Sequence, residues 1–202
     1  IISHHAGFAF LVLMGHAFVF WTPSFFERVH GVPAEDAAVV YGLIFIIAGA
    51  IAAISSAKLA QIWMARGSRE SLVNIAMLGA LGFIISVGLL QCAQNASEAF
   101  ALYVPALFFL NVPFGLGFAA LPLIAPAHIR GRVAAIYMLT LSIGNAIGPP
   151  LTGYLSEYVF TNNVGLIQAL TTVTTGFGIA GIAFLLAGKK YFGESIFKQN
   201  ND

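Results

Sequence analysis

Charge is what this sequence lacks most. Of its 202 residues only 8% are Asp, Glu, Lys or Arg, while 59% are hydrophobic and the mean hydropathy is +0.89. A soluble domain carries roughly a quarter charged residues. So few charges cannot keep a surface in water, so lipid must be the solvent for most of it. The net charge of +1 and the absence of a basic run exclude long-range attraction to nucleic acid. Cys92 is the sole cysteine, which excludes an intrachain disulfide and a cysteine metal cluster. Neither a metal site nor a cofactor is expected. A G-x-x-x-x-G-K nucleotide loop is also missing. No basic segment precedes the first apolar stretch, so a signal peptide is not expected. The chain opens on Ile1 rather than Met, and we expect it to be a fragment of a longer one.

What is present is six long apolar stretches, at 6–26, 37–60, 72–93, 100–125, 133–157 and 165–188. A bilayer core about 30 Å thick needs a helix of about 20 such residues. The predicted fold is therefore all-α, a single six-helix transmembrane domain over 1–202. Short polar breaks separate the stretches, at residues 27–31, 66–70, 94–98, 128–132 and 161–163, which forces neighbouring helices to run antiparallel. The second loop, fourth loop and carboxy tail hold Lys58, Arg66, Arg69, Arg130, Arg132, Lys189, Lys190 and Lys198, and the opposite side holds only Arg28. Cytoplasmic loops carry the excess of Lys and Arg. Both termini are thus predicted to be cytoplasmic, in an inner (plasma) membrane.

No span carries an ionised residue near its middle, where charges usually mark ion or proton paths. His16 reads as the one titratable group deep in a span, either a proton relay or a neutral ring bonded to a neighbouring helix. In the fifth span Tyr137, Leu141, Gly144, Asn145, Gly148 and Thr152 share one face at helical spacing. Such a face is predicted to meet protein or a water-filled cavity rather than lipid. Gly144 and Gly148 form a small-x-x-x-small pair for close helix approach, and Pro149 and Pro150 are expected to kink the helix. The fourth span has the same character, with Asn111 and Pro113. Trp21 reads as part of an interfacial aromatic belt. Tyr41 and Ser55-Ser56 are further polar groups in the second span, the serines expected to bond their own backbone. Asn145, Tyr137, Asn111, His16 and Tyr41 are the candidate cavity residues. Gly144, Gly148, Pro149, Gly153 and Pro113 are candidates for packing and gating.

The second and fifth spans match at an offset of 96. Six of the nineteen positions from 41 to 59 are identical, among them Tyr41/Tyr137, Ile47/Ile143 and Ile51/Ile147, with small opposite small at Ala48/Gly144 and Ala52/Gly148. One span runs inward and the other outward, so the pattern is a three-plus-three inverted repeat, as in half of a major facilitator transporter.

Further motifs point the same way: Trp21-x-Pro23-x-Phe25-x-Glu27-Arg28-x-x-Gly31, then Arg66-Gly67, Pro126-x-x-x-Arg130-Gly131-Arg132-x-x-Ala135-x-Tyr137 and Gly144-x-x-x-Gly148-Pro149-x-x-x-Gly153. On these residues the chain resembles the carboxy-terminal six helices of the spinster-like branch of the major facilitator superfamily, in its bacterial members. The loop after the second span departs from the family's G-x-x-x-D pattern, reading Ala57-x-x-x-Gln61 and keeping only Arg66-Gly67, which puts that loop's gating role in doubt. The resemblance implies an amino-terminal six-helix half as partner and lipid-like or other organic substrates. It transfers no coupling residue, because the family's proton-coupling carboxylate lies in the other half. The expected function is secondary active transport of a small organic or amphipathic solute by alternating access, driven by an ion gradient. The expected partners are membrane lipid, the small-molecule substrate and the second half, with no enzyme activity. A channel or the membrane subunit of a primary pump is the alternative, though no filter-like glycine loop is visible. An intramembrane serine protease would need a serine for His16 to activate, and no G-x-S-G is present. A chain of this size could also act as a dimer of halves.

Overall fold

The computed structural model describes the backbone of residues 2–162 and 164–199, with side chains except at 124 and 193–199. Asn163 of the last polar break and the Lys198 side chain of the tail lie outside the described residues. Six helices are long and apolar enough to cross a membrane. They are α1 (Ile2–His30), α2 (Ala34–Ala65), α3 (Ser71–Leu89), α4 (Ala96–Ile124), α5 (Arg130–Tyr154) and α6 (Gly165–Gln199). A 3-10 turn, Leu90–Cys92, extends α3, another, Ala127–Ile129, precedes α5, and a π-helical stretch, Leu155–Val159, follows it. There is no strand among the described residues. Lipid offers backbone groups no hydrogen bonds, so each crossing segment satisfies its own as a helix.

The helices outrun the apolar segments in several places. Residues 27–30, 96–98 and 130–132, read from composition as breaks, are helical. Composition marks where lipid ends, whereas hydrogen bonding carries the helix on into the headgroup zone. The true ends have their own chemistry. Asn95 caps α4: its Oδ1 accepts from the Glu98 N–H at 3.0 Å, and Glu98 Oε2 accepts from the Gln94 N–H at 2.9 Å. Glu98 thus reaches back to the residue before the cap and, through Oε1, to the Asn95 Nδ2 at 2.8 Å, a variant of the reciprocal capping box. At the end of α2, Gly67 adopts φ +88°, which lets its N–H reach the Met64 carbonyl and the Ser68 N–H reach the Trp63 carbonyl, both at 2.9 Å. That left-handed closure needs glycine. On the same end of the bundle Lys189 of α6 pairs with Glu70 at 3.3 Å; the pair is part-exposed and contributes little stability.

Packing follows the sequence repeat. α1 packs chiefly on α6 and α5, while α4 packs chiefly on α3 and α2, so exchanging the first three helices with the last three preserves the pattern. Successive helices alternate in direction, so each helix and its repeat mate run opposite ways. α2 buries one stripe, Ala48, Ala52, Ser56 and Ala60; α5 buries the stripe Gly144, Gly148 and Thr152. The first three members match at the offset of 96 residues. Both helices leave most of their remaining circumference exposed. The deepest packing lies in α1, α3 and α4, around Phe18, Phe25, Phe26, Phe83 and Tyr103, all fully buried.

Candidate functional site

Small residues bring α1 and α5 together. A Cβ on Gly144 would stand 2.9 Å from the Ala9 carbonyl oxygen, and one on Gly148 would stand 2.6 Å from that of Leu13. The two backbones therefore touch with no side chain between them. Further along the same seam, a Cβ on Gly153 would lie 2.9 Å from the Trp21 ring. Trp21 is half-buried there, and its Nε1–H donates to the Pro149 carbonyl at 2.9 Å. Besides any place in an interfacial belt, the indole is a strut between α1 and the double proline. Pro149 and Pro150 have no N–H, so they leave the carbonyls of Asn145 and Ala146 without their usual helical donors. α5 nevertheless runs unbroken through both prolines to Tyr154. Trp21→Phe keeps the ring in its slot and removes the donor. It is expected to cost about 1 kcal/mol, read as a small drop in melting temperature with unchanged elution in detergent.

Tyr137 sits at the start of this seam, only 1% exposed. Its ring packs against His4, His5, Phe8 and Phe118, with the His5 centroid at 5.2 Å and the Phe118 centroid at 5.1 Å. Across from it Gly117 of α4 is required, because a Cβ there would overlap the Tyr137 hydroxyl. Tyr137 and Leu141 of α5, Phe8 and Val12 of α1, and Pro113, Phe114 and Phe118 of α4 line an apolar cleft. Its free volume is about 10 Å³, the size of a single water. The cleft is where three helices meet, closed in this conformation, and its walls suit an apolar group.

The remaining sequence candidates are more scattered. Asn111 of α4 is half-buried, donating from Nδ2 to the Leu107 carbonyl at 2.7 Å, and lies 3.5 Å from where a Gly49 Cβ would be on α2. Asn145 is exposed, turned away from the buried stripe of α5. Tyr41 is half-buried on α2 beside Phe45. The His16 Nδ1 bonds the Val12 carbonyl of its own helix at 3.0 Å, with Phe114 beside the ring. That replaces the expected bond to a neighbouring helix. Ser55 bonds back to the Ile51 carbonyl at 2.7 Å. Arg130 Nε reaches the Ala125 carbonyl at 3.1 Å, Arg132 is exposed, and the Arg66 N–H closes α2. Pro113 is buried where α4 meets α3, near Gly79.

His4 and His5 escaped the sequence reading, because the first span was begun at residue 6. α1 starts at Ile2, so both are helical and buried, and neither ring nitrogen of His4 has a hydrogen-bond partner. The signal was available: His4, Phe8, Leu11 and Met14 recur at helical spacing. His4 and His5 lie in the first turn of α1, and His16 at its middle. Among the described residues no three His, Cys, Asp or Glu side chains gather to hold a metal.

Six helices in two inverted threes make one half of the major facilitator fold, a fold of multi-pass membrane transporters. Two solved structures of a bacterial homolog of the human lysosomal transporter Spinster share it, one inward-facing and occupied and one inward-facing and unoccupied. They match at TM-scores of 0.66 and 0.65, both at 20% identity, over 96% of this chain and 48% and 47% of theirs. The chain therefore spans about half the length of the structures it matches. No protein-family model and no curated protein sequence matches it. At this identity the likeness establishes the fold.

Proposed function

We propose that the chain is the carboxy-terminal half of a secondary active transporter that moves a small organic or amphipathic solute by alternating access, coupled to an ion gradient. The observation that carries this reading is the pairing of near-complete coverage of this chain with half coverage of the Spinster-homolog structures. A half-fold has no closed path of its own, since the solute site of this architecture lies between two six-helix bundles. α2 and α5 support the reading: each buries one narrow stripe and leaves wide apolar faces, with Ile46 and Ile47 on α2 and Leu139 and Ile143 on α5 all exposed. These faces are offered to lipid and to an amino-terminal six-helix half. The cleft at Tyr137, closed here, supplies an apolar wall for the solute, and Asn145, Asn111, His16 and Tyr41 supply polar groups if they come to face the cavity. The charge asymmetry supports both termini being cytoplasmic in a bacterial inner membrane.

Cells or vesicles containing the full-length protein test the proposal. Solute accumulation is expected to collapse on addition of an uncoupler. Accumulation that persists after the gradient is gone would count against ion coupling and favour a primary pump subunit. Equilibration without accumulation, before or after, would favour a channel.

A further inference from the structure

The end of the bundle away from Tyr137 holds a polar pocket of about 200 Å³, lined by Arg28, Ser156, Glu157, Thr161, Asn162 and Leu166. It forms where the last turn of α1, the π-helical stretch after α5 and the first turn of α6 converge. Each wall is held in place by its own means. The π stretch closes with the Phe160 N–H on the Leu155 carbonyl at 2.8 Å, five residues back. The residue inserted by such a turn shifts Ser156 and Glu157 out of the α-helical register, and π turns are frequent at functional sites. The connecting loop is fastened by Asn162, whose Oδ1 accepts from the Val164 N–H at 3.0 Å and whose Nδ2 donates to Gln168 Oε1 at 3.1 Å. Gly165 allows the loop to close, because a Cβ there would overlap the Phe160 carbonyl. Leu166, buried, is the apolar floor.

Two opposite charges face this space without meeting. The Arg28 guanidinium lies over the Trp21 ring, 5.8 Å from its centroid, and Trp21 is itself held by Pro149. Stacking occupies one face of the guanidinium and leaves its N–H edges for an anion. Neither Arg28 nor Glu157 has an ion-pair partner among the described residues. An Arg and a Glu on two different helices, separated by a pocket with hydroxyl and amide walls, suit a ligand that brings the complementary charge to each. The pocket is smaller than the roughly 300–1,000 Å³ typical of drug-sized ligands. Its lining has no aromatic face for a large apolar body.

We propose that this pocket binds a compact zwitterion of the amino-acid type, its anionic oxygens on Arg28, its ammonium on Glu157, and its short apolar part on Leu166. The site is separate from the cleft at Tyr137 and does not depend on what the protein transports. Saturation-transfer NMR on the full-length membrane protein in nanodiscs tests it, with L-alanine as the probe and propionate and ethylammonium as one-charge controls. L-Alanine is expected to bind saturably, and each control about tenfold more weakly, since each lacks one charge-assisted contact. Arg28→Gln and Glu157→Gln should each weaken L-alanine by about tenfold. Both side chains are exposed, so elution in detergent should not change. The charge swap, Arg28→Glu with Glu157→Arg, should recover most of the binding lost in Arg28→Glu alone. No saturable binding of L-alanine, equal binding of a one-charge control, or indifference to both neutral variants would overturn the proposal. An uncoupler result against ion-driven transport would leave this site standing, and loss of the site would leave transport standing.

Discussion

Gly148→Leu is expected to remove most of the folded protein, while Ile147→Leu, one residue away on α5, leaves it intact. The Gly148 position has no room, because a Cβ alone would stand 2.6 Å from the Leu13 carbonyl oxygen and 3.3 Å from the Ala17 Cβ. The obstructing atom is backbone inside a continuous helix, so no rotamer change relieves it. α1 and α5 must separate, and with them the contacts at Gly144 and around Trp21. Overpacking in cores costs about 1–3 kcal/mol and sometimes more. A leucine against backbone belongs at or beyond the upper end, about 3 kcal/mol or more. Apolar burial cannot compensate, since lipid is as apolar a solvent as the leucine could find. Ile147 is 46% exposed and points away from α1. Thermal unfolding in detergent, followed by size-exclusion, checks the pair: a fall in melting temperature on the order of 10 °C, or loss of the monodisperse peak, for the first variant and no shift for the second. Equal behaviour would mean that α1 and α5 do not approach as closely as described.

Tyr103→Ala should be nearly as damaging, and Tyr103→Phe almost silent. Tyr103 is fully buried, with ring centroids of Phe18 at 4.8 Å, Phe26 at 5.0 Å and Phe25 at 5.9 Å. Phe26 in turn stacks on Phe100 at 3.9 Å. Removing the central ring leaves a cavity that rigid neighbours cannot fill, and large aromatic truncations of this kind cost about 3–5 kcal/mol. The hydroxyl matters far less. It donates to Thr22 Oγ1 at 3.3 Å, long for such a bond, and Thr22 keeps its own 2.9 Å bond to the Phe18 carbonyl without it. Tyr103→Phe should cost at most about 1 kcal/mol. Chemical or thermal unfolding of both variants side by side separates ring packing from the hydroxyl. A Phe variant as damaged as the Ala variant would show the hydrogen bond, not the ring, to be what holds α1 against α4.

The aromatic cluster is not legible in the sequence. Phe18, Phe25, Phe26 and Tyr103 belong to spans that are apolar all round, and periodicity has no contrast to work with where the outer solvent is lipid. The α5 face could be read because small and polar residues stand out against an apolar background, and Tyr137, Gly144, Gly148 and Thr152 are buried. By spacing Asn145 belongs to that face, yet one residue of helical rotation turns it outward. The pocket at Arg28 and Glu157 could not be seen at all, because it joins residues 128 and more apart through a π turn that nothing in the local sequence announces.

The solvent, the number of crossings and the repeat are all legible in the amino-acid order. Those depend on composition, length and small-residue spacing, which lipid and backbone hydrogen bonding constrain for each helix separately. That Trp21 supports Pro149, that His4 and His5 pack on Tyr137, and that Arg28 and Glu157 line one pocket came only with the folded arrangement. Such pairings depend on the rotation and depth of one helix against another. Between helices in lipid these are set by atomic fit rather than by the avoidance of water.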